Sequence, residues 1–206
     1  MFIKDTKLLN FRNHKSIKVD FGQVTYISGA NGSGKTSIAE AVSVILNLKS
    51  FKQSNLKKCI SFGESGFFIE SNISRGGTED KVSLKYKDTR YLYLNDNLEK
   101  NFSEYLTKNF VFTYSPFSEG VLSSSQETRR NFIDKVIFYR FPHYINMLRE
   151  YNRILNMKKK ILISNKIDKD YISILNKRFS ELSCNISKMR SDKIKKLNMI
   201  LNKNFS

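Results

Sequence analysis

The sequence has no tryptophan, two prolines, two cysteines and two histidines among its 206 residues. Each scarcity excludes something. Cys59 and Cys184 stand far apart, so they form neither a disulfide framework nor a C-x-x-C metal or redox site. His14 and His143 are too few and too distant for a metal cluster or a catalytic triad, and both read as structural. No apolar run is long enough to span a bilayer, so no membrane association is expected. The opening MFIKDTKLLNF lacks the apolar core of a secretory signal, which makes the cytoplasm the expected location. Acidic residues are short as well: 19 Asp and Glu against 36 Lys and Arg leave a formal net charge of +17. That sign argues against an acidic disordered tail protein and favours a polyanionic partner.

Part of this basicity is compositional. Lys, Asn and Ile supply 66 of the 206 residues, and all three are favoured by AT-rich codons, so some of the lysine is solvated surface. The distribution says more. From Tyr151 to Ser206 there are 14 basic and four acidic residues, which places +10 of the charge in the last 56 positions.

Glycine is equally uneven. All nine glycines lie in the first 120 residues, and neither glycine nor proline follows Pro142. The chain therefore divides into a turn-rich part, 1–120, and a helical part, 121–206. In the first, runs rich in Ile, Val, Phe and Tyr predict strands over Phe2–Leu9, Ile17–Phe21, Val24–Ser28, Phe67–Ser74, Val82–Tyr86, Tyr91–Leu94 and Phe110–Tyr114. Arg75-Gly76-Gly77-Thr78 and Asn95-Asp96-Asn97 read as turns, and Ser33–Leu48 as a helix with Ile38, Ala41, Val42 and Ile45 on one face. In the second part, Ser124-x-x-Glu127 reads as a capping box for a helix ending near Phe141. A long helix spaced by Leu148, Tyr151, Leu155 and Leu162 follows, then another in which Leu175, Phe179, Leu182, Ile186 and Met189 step by four and three. Joined near Asn165, the two make either a short antiparallel coiled coil or an ordinary helical hairpin, with the seam weakening at Lys193.

One motif carries chemistry. Val24–Ser28 leads into Gly29-Ala30-Asn31-Gly32-Ser33-Gly34-Lys35-Thr36 and then into a helix, a G-x-x-x-x-G-K-T loop in the strand–loop–helix setting it requires. Backbone N–H groups must wrap a polyphosphate, and side chains would block that approach, hence glycine at 29, 32 and 34. The helix that follows aims its positive end at the phosphates. Lys35 can reach the β and γ phosphates, and the Thr36 hydroxyl can complete a Mg²⁺ shell, so ATP with Mg²⁺ is the expected ligand. Arg129 and Arg130 could contact phosphate or pair with acidic neighbours, and Ser123-Ser124-Ser125 reads as loop and helix cap.

The flanks of the loop add a resemblance. Leu9-Asn10-Phe11-Arg12-Asn13-His14 resembles the opening of the SMC and ABC-type DNA repair ATPases, which implies that Arg12 and Asn13 contact the nucleotide. Leu48-Lys49-Ser50-Phe51-Lys52 with Ile60-Ser61-Phe62-Gly63-Glu64, then Pro116 with Arg129-Arg130-Asn131-Phe132-Ile133-Asp134, resemble segments of the RecF recombination mediators, in the same order. The resemblance implies an α/β ABC-type P-loop ATPase lobe with a mixed sheet over 1–120, and a helical lobe II with an antiparallel hairpin over 121–206. It implies ATP- and Mg²⁺-dependent binding of DNA near single-strand/duplex junctions, and an ATP-dependent homodimer. It further implies action with RecO and RecR in loading recombinase during gap repair and replication restart.

Two departures stand against that pattern. Phe117-Ser118 replaces the family's Glu-Asp after the proline, so no role is assigned to Ser118, Glu119 or Gln126. An L-S-x-G-Q-like signature and a Walker B strand ending in Asp-Asp or Asp-Glu are absent from the 206 residues. The expectation is an amino-terminal portion or one half of a split protein that needs a second polypeptide for turnover. The P-loop strand would then have an unpaired edge. Alternatives are a structural ATPase head of the SMC or SbcC kind and a non-catalytic DNA-binding half-protein. A small-molecule P-loop kinase leaves the Arg12 segment and the charge unexplained.

Overall fold

A single apolar row explains the sheet. Ile17, Leu8, Ile69, Leu84 and Leu92 lie opposite one another on five successive strands, and all but Ile17 are fully buried. The strands are β1 (Phe2–Phe11), β2 (His14–Asp20), β3 (Phe67–Arg75), β4 (Thr78–Tyr86), β5 (Arg90–Leu94) and β6 (Asn97–Leu98), in the order β2-β1-β3-β4-β5-β6. Against the row packs α1 (Lys35–Asn47), whose Ile38, Ala41, Val44 and Ile45 are buried in the same cluster. The helix's side chains at i, i+3 and i+4 meet the sheet's inward positions, which is the pairing of periods such a layer requires.

The computed structural model describes residues 1–109, 111–114, 125–163 and 169–205. It divides into two compact units, Met1–Ser118 and Glu119–Ser206. In the first, the two expected turns are present. Gly76 and Gly77 take φ 52° and 94° between β3 and β4, and Asn95 and Asp96 take φ 50° and 64° between β5 and β6, the left-handed pairs of tight hairpins. A short helix, α2 (Phe102–Lys108), was not foreseen. Asn101 caps it by accepting from the Glu104 N–H at 3.1 Å, and the buried Tyr105 hydroxyl donates to the Ile45 carbonyl at 2.7 Å.

Two expected strands are not formed. Residues 24–28 and 111–114 carry no ladder, and Val24 and Tyr26 are 93% and 89% exposed. All ladders among the described residues are antiparallel, so the parallel pairing of a mixed sheet is absent among them. β-branched and aromatic residues favour a pleated surface only where neighbours cover it and a second strand takes the backbone hydrogen bonds.

The second unit holds α3 (Gln126–Arg140), α4 (Tyr144–Ile163) and α5 (Lys169–Phe205). The cap of α3 is Ser125, which accepts from the Thr128 N–H at 3.2 Å; Ser124 of the expected box, Ser123, Pro116 to Glu119, Phe110 and Asn165 lie outside the described residues. Leu175, Leu182 and Ile186 of α5 are buried as the heptad spacing requires, and Tyr151 stacks on Phe179 at 4.7 Å. The seam weakens at Lys193 as expected: its ammonium lies over the Phe141 ring at 4.8 Å, and beyond it Ile194, Met199, Ile200 and Leu201 are exposed. Asp134 closes the unit: Arg190 grips it with Nε at 2.8 Å and Nη2 at 2.7 Å, and the Tyr144 hydroxyl donates at 2.7 Å. The aspartate of the R-R-N-F-I-D segment is thus a fastener between three helices.

Candidate functional site

The glycine-rich loop ends in a helix start that no side chain occupies. Gly34 is the N-cap of α1 with φ 96°, it offers no side-chain cap, and the first turn holds no acidic residue. The first amides of any helix lack intrahelical acceptors, and here they open onto the loop formed by Gly29 (φ 148°), Gly32 (φ 83°) and Gly34. Lys35 Nζ donates to the carbonyls of Gly29 at 2.6 Å and Ala30 at 2.7 Å, which folds its charge across the loop mouth. Ser33 N–H closes a turn on Ala30 at 3.3 Å. Asn31 and Ser33 are exposed on the rim, and Thr36 is exposed in the first turn of α1. Free amides, a cation and a hydroxyl in this order fit a Mg²⁺-bound polyphosphate. Among the described residues no group of three His, Cys, Asp or Glu side chains could hold a metal by itself, so Thr36 would share the ion with phosphate oxygens.

The β1–β2 turn braces this loop from below. Asn13 Nδ2 donates to the Gly32 carbonyl at 3.0 Å, and its Oδ1 accepts from the Ser37 hydroxyl at 3.2 Å. His14 Nε2 lies 3.2 Å from the Gly34 carbonyl. A histidine that reads as merely structural therefore touches the loop directly. The sequence signal was its place two residues after Arg12, in the segment already singled out.

Arg12, the other residue expected to contact the nucleotide, is held by a buried carboxylate. Its Nε and Nη2 bind both oxygens of Glu40 at 2.9 and 2.6 Å, and its Nη1 donates to the Lys58 carbonyl at 2.8 Å. The Gln53 amide oxygen, turned toward it, accepts at 3.0 Å. Arg12 itself stands at φ 58°, a left-handed conformation that this set of bonds holds in place. Glu40 is wholly buried on α1 and also accepts from the Ser50 hydroxyl. Burial pushes its carboxyl upward, but the hydrogen bonds from Arg12 and Ser50 and the Arg12 charge outweigh it, so its pKa lies below the ordinary value. Glu40 escaped the sequence reading because nothing local distinguishes a glutamate 28 positions from its partner.

Cys59 completes the cluster, with its thiol 3.6 Å from a Glu40 oxygen. Burial, then the Glu40 charge, raises its pKa to about 11. Cys184 is exposed. A thiol reagent such as Ellman's is expected to titrate one cysteine promptly at pH 8 and the second only after denaturant; prompt reaction of both in the folded chain would contradict the burial of Cys59. The Ile60-Ser61-Phe62-Gly63-Glu64 segment joins the same turn: Ser61 N–H donates to the Asn10 carbonyl at 2.9 Å and its hydroxyl to that of Arg12 at 2.7 Å. Arg129, Arg130 and His143 lie at exposed positions of the other unit.

Comparison with known proteins matches residues 7–205 to a family model described as an AAA domain. A RecF DNA replication and repair protein of Leptospira interrogans (serogroup Icterohaemorrhagiae, serovar copenhageni) is 29% identical over 203 residues, 96% of this chain and 56% of the relative. One from Clostridioides difficile is 28% identical over 199 residues, 96% of this chain and 54% of the relative. The chain spans about half the length of the curated relatives it matches. Among solved structures, the recombination mediator protein RecF with ATP, of the RecFOR pathway, matches with a TM-score of 0.86 and 25% identity. That match covers 98% of this chain and 58% of that one.

Proposed function

Because this chain belongs to the AAA-domain family and is related to the RecF DNA replication and repair proteins, we propose that it binds ATP and DNA in recombinational repair. The observation that carries the nucleotide half is the α1 start, uncapped and free of acidic residues, behind three left-turning or extended glycines and beneath Lys35. The amides of the loop donate to phosphate oxygens. Lys35 exchanges the carbonyls of Gly29 and Ala30 for β and γ phosphate oxygens, and Thr36 Oγ1 holds Mg²⁺. The bound nucleotide supplies a polyanionic switch, whose charge the loop reads. Asn13 borders the phosphates through Gly32 and Ser37, and Arg12 acts as a strut that sets the turn beneath them.

The DNA half rests on the relatives and on the +17 charge. Residues 1–120 form the ATP-binding lobe and 121–206 the helical lobe II. DNA at single-strand/duplex junctions, RecO- and RecR-like partners, recombinase loading and an ATP-dependent homodimer complete the reading.

The test is a calorimetric titration of the purified chain with ATP and Mg²⁺, repeated on Lys35→Ala. Loss of the ammonium removes a charge-assisted contact worth roughly 1.5–3 kcal/mol, so ATP affinity is expected to fall about tenfold to a hundredfold. DNA binding that is weak and salt-sensitive is expected to persist. Equal ATP affinity in the two proteins would sink the assignment of the loop.

A further inference from the structure

At the opposite end of α1 from the phosphate loop lies a second concavity. It measures about 950 Å³ and is lined by residues 48–56, by Tyr86 and residues 88–90 of the β4–β5 turn, and by Phe102 of α2. Thirteen helical residues separate the two sites, roughly 20 Å along the axis. Its charge is one-sided: Lys49, Lys52 and Arg90 line it against Asp88 alone. Between Glu40 and Glu64 the chain carries Lys49, Lys52, Lys57 and Lys58 and no acidic residue. Aromatic side chains lie between the cations: Phe51, Tyr86, which stacks on Phe67, and Phe102, which lies under Arg90.

The rim is also held in shape. Ser50 Oγ accepts from the N–H groups of Lys52 and Gln53, both at 3.0 Å, and donates to buried Glu40. Asn55 Oδ1 accepts from the Lys57 N–H at 2.9 Å. Arg90 Nη1 fixes the Leu48 carbonyl at 2.6 Å while its guanidinium lies 5.8 Å from the Phe102 ring centre. A loop tied down in this way loses little entropy when it takes a ligand.

We infer that this groove binds one strand of single-stranded nucleic acid, with phosphates on Lys49 and Lys52 and a base against Phe51. A duplex hides its base faces and offers cations only phosphates, so the Phe51 ring gains nothing from it. Splayed bases on a single strand use both the cations and the rings. The inference rests on the DNA-binding half of the proposed function and gives that half a location separate from the nucleotide loop.

The experiment is fluorescence anisotropy of the full chain with a labelled oligo-dT and with a labelled duplex, across a salt series. Lys49 and Lys52 are exposed, so Lys49→Ala/Lys52→Ala leaves the core intact, which a thermal melt checks. The double variant is expected to bind oligo-dT about tenfold more weakly, with the slope of log K against log salt shallower by about 1.4, two single-strand phosphate contacts. Phe51→Ala is expected to weaken oligo-dT binding without changing that slope. If the wild-type chain binds oligo-dT and the double variant matches it in affinity and slope, the groove is overturned and the DNA reading stands. If the double variant loses duplex and keeps oligo-dT, the single strand is the wrong occupant. If the wild-type chain binds neither nucleic acid, the DNA reading falls and takes this inference with it.

Discussion

Gly34→Ala is expected to cost the chain its ATP binding and about 3 kcal/mol of stability. Gly34 sits at φ 96°, where an L-residue costs roughly 1–2 kcal/mol. A Cβ there would lie 2.2 Å from His14 Nε2, 2.5 Å from His14 Cε1 and 2.8 Å from Asn13 Nδ2. Real contacts are never that short, so both side chains must move. Each leaves a bond that braces the loop: His14 to the Gly34 carbonyl, Asn13 to that of Gly32. Two such bonds are worth about 1 kcal/mol apiece. The alanine therefore acts twice, by strain at its own backbone and by unlatching the turn below. Urea melts and an ATP titration separate the parts. In the double variant Gly34→Ala/His14→Ala the collision with the ring is gone and the backbone strain remains, so stability is expected to recover in part. A single variant as stable as the wild type, binding ATP normally, would show that the loop does not need the turn beneath it.

The glycine requirement at 34 was legible in the sequence because the reason for it is local. A phosphate loop needs its glycines, its lysine and its hydroxyl at fixed spacing, and Gly29 to Thr36 show the pattern in eight consecutive letters. The helix hairpin was legible for a similar reason, since a heptad repeat is visible along one element. The fading of the seam beyond Lys193 was legible too, because a charge at a seam position leaves the apolar residues after it, Ile194 and Leu201 among them, without a covering partner. The sheet was half legible. Strands whose inward residues find a row opposite, such as Leu8, Ile69 and Leu84, form where their β-branched and aromatic composition predicts. Residues 24–28 have the same composition and no ladder, and composition does not report whether a partner strand lies alongside. α2 escaped notice because seven residues show little periodicity, although Asn101-x-x-Glu104 is a capping pattern that marked it. Least legible was Glu40. Its three partners, Arg12, Ser50 and Cys59, come from three separate segments.

Removing Glu40 is for that reason the second large effect expected. Glu40→Ala leaves the Arg12 guanidinium half-buried with its bidentate partner gone, and breaking such a pair costs about 3–5 kcal/mol when fully enclosed. The Arg12 side chain keeps 19% of its exposure while that of Glu40 keeps none, so water recovers part of the loss and about 3 kcal/mol is the expected figure. The midpoint of thermal unfolding should fall by roughly 10 °C. Glu40→Gln keeps the shape and one acceptor, so its loss should be smaller. Acid separates charge from shape. The folded-state pKa of Glu40 is lowered, so the unfolded chain takes up the proton first as pH falls. The stability that the pair supplies is complete above the ordinary carboxylate range, about pH 4.3, and disappears as pH drops through the lower folded value. Wild-type chain should lose stability more steeply than Glu40→Gln over that interval, and the gap between them at neutral pH should narrow. Because Glu40 ties Arg12 and the turn under the phosphate loop to Ser50 on the lysine-lined groove, both variants should also weaken ATP binding at neutral pH, where the fold persists. Parallel acid profiles would mean that the carboxylate works by shape alone, and an unchanged melt in Glu40→Ala would remove the strut from the account altogether.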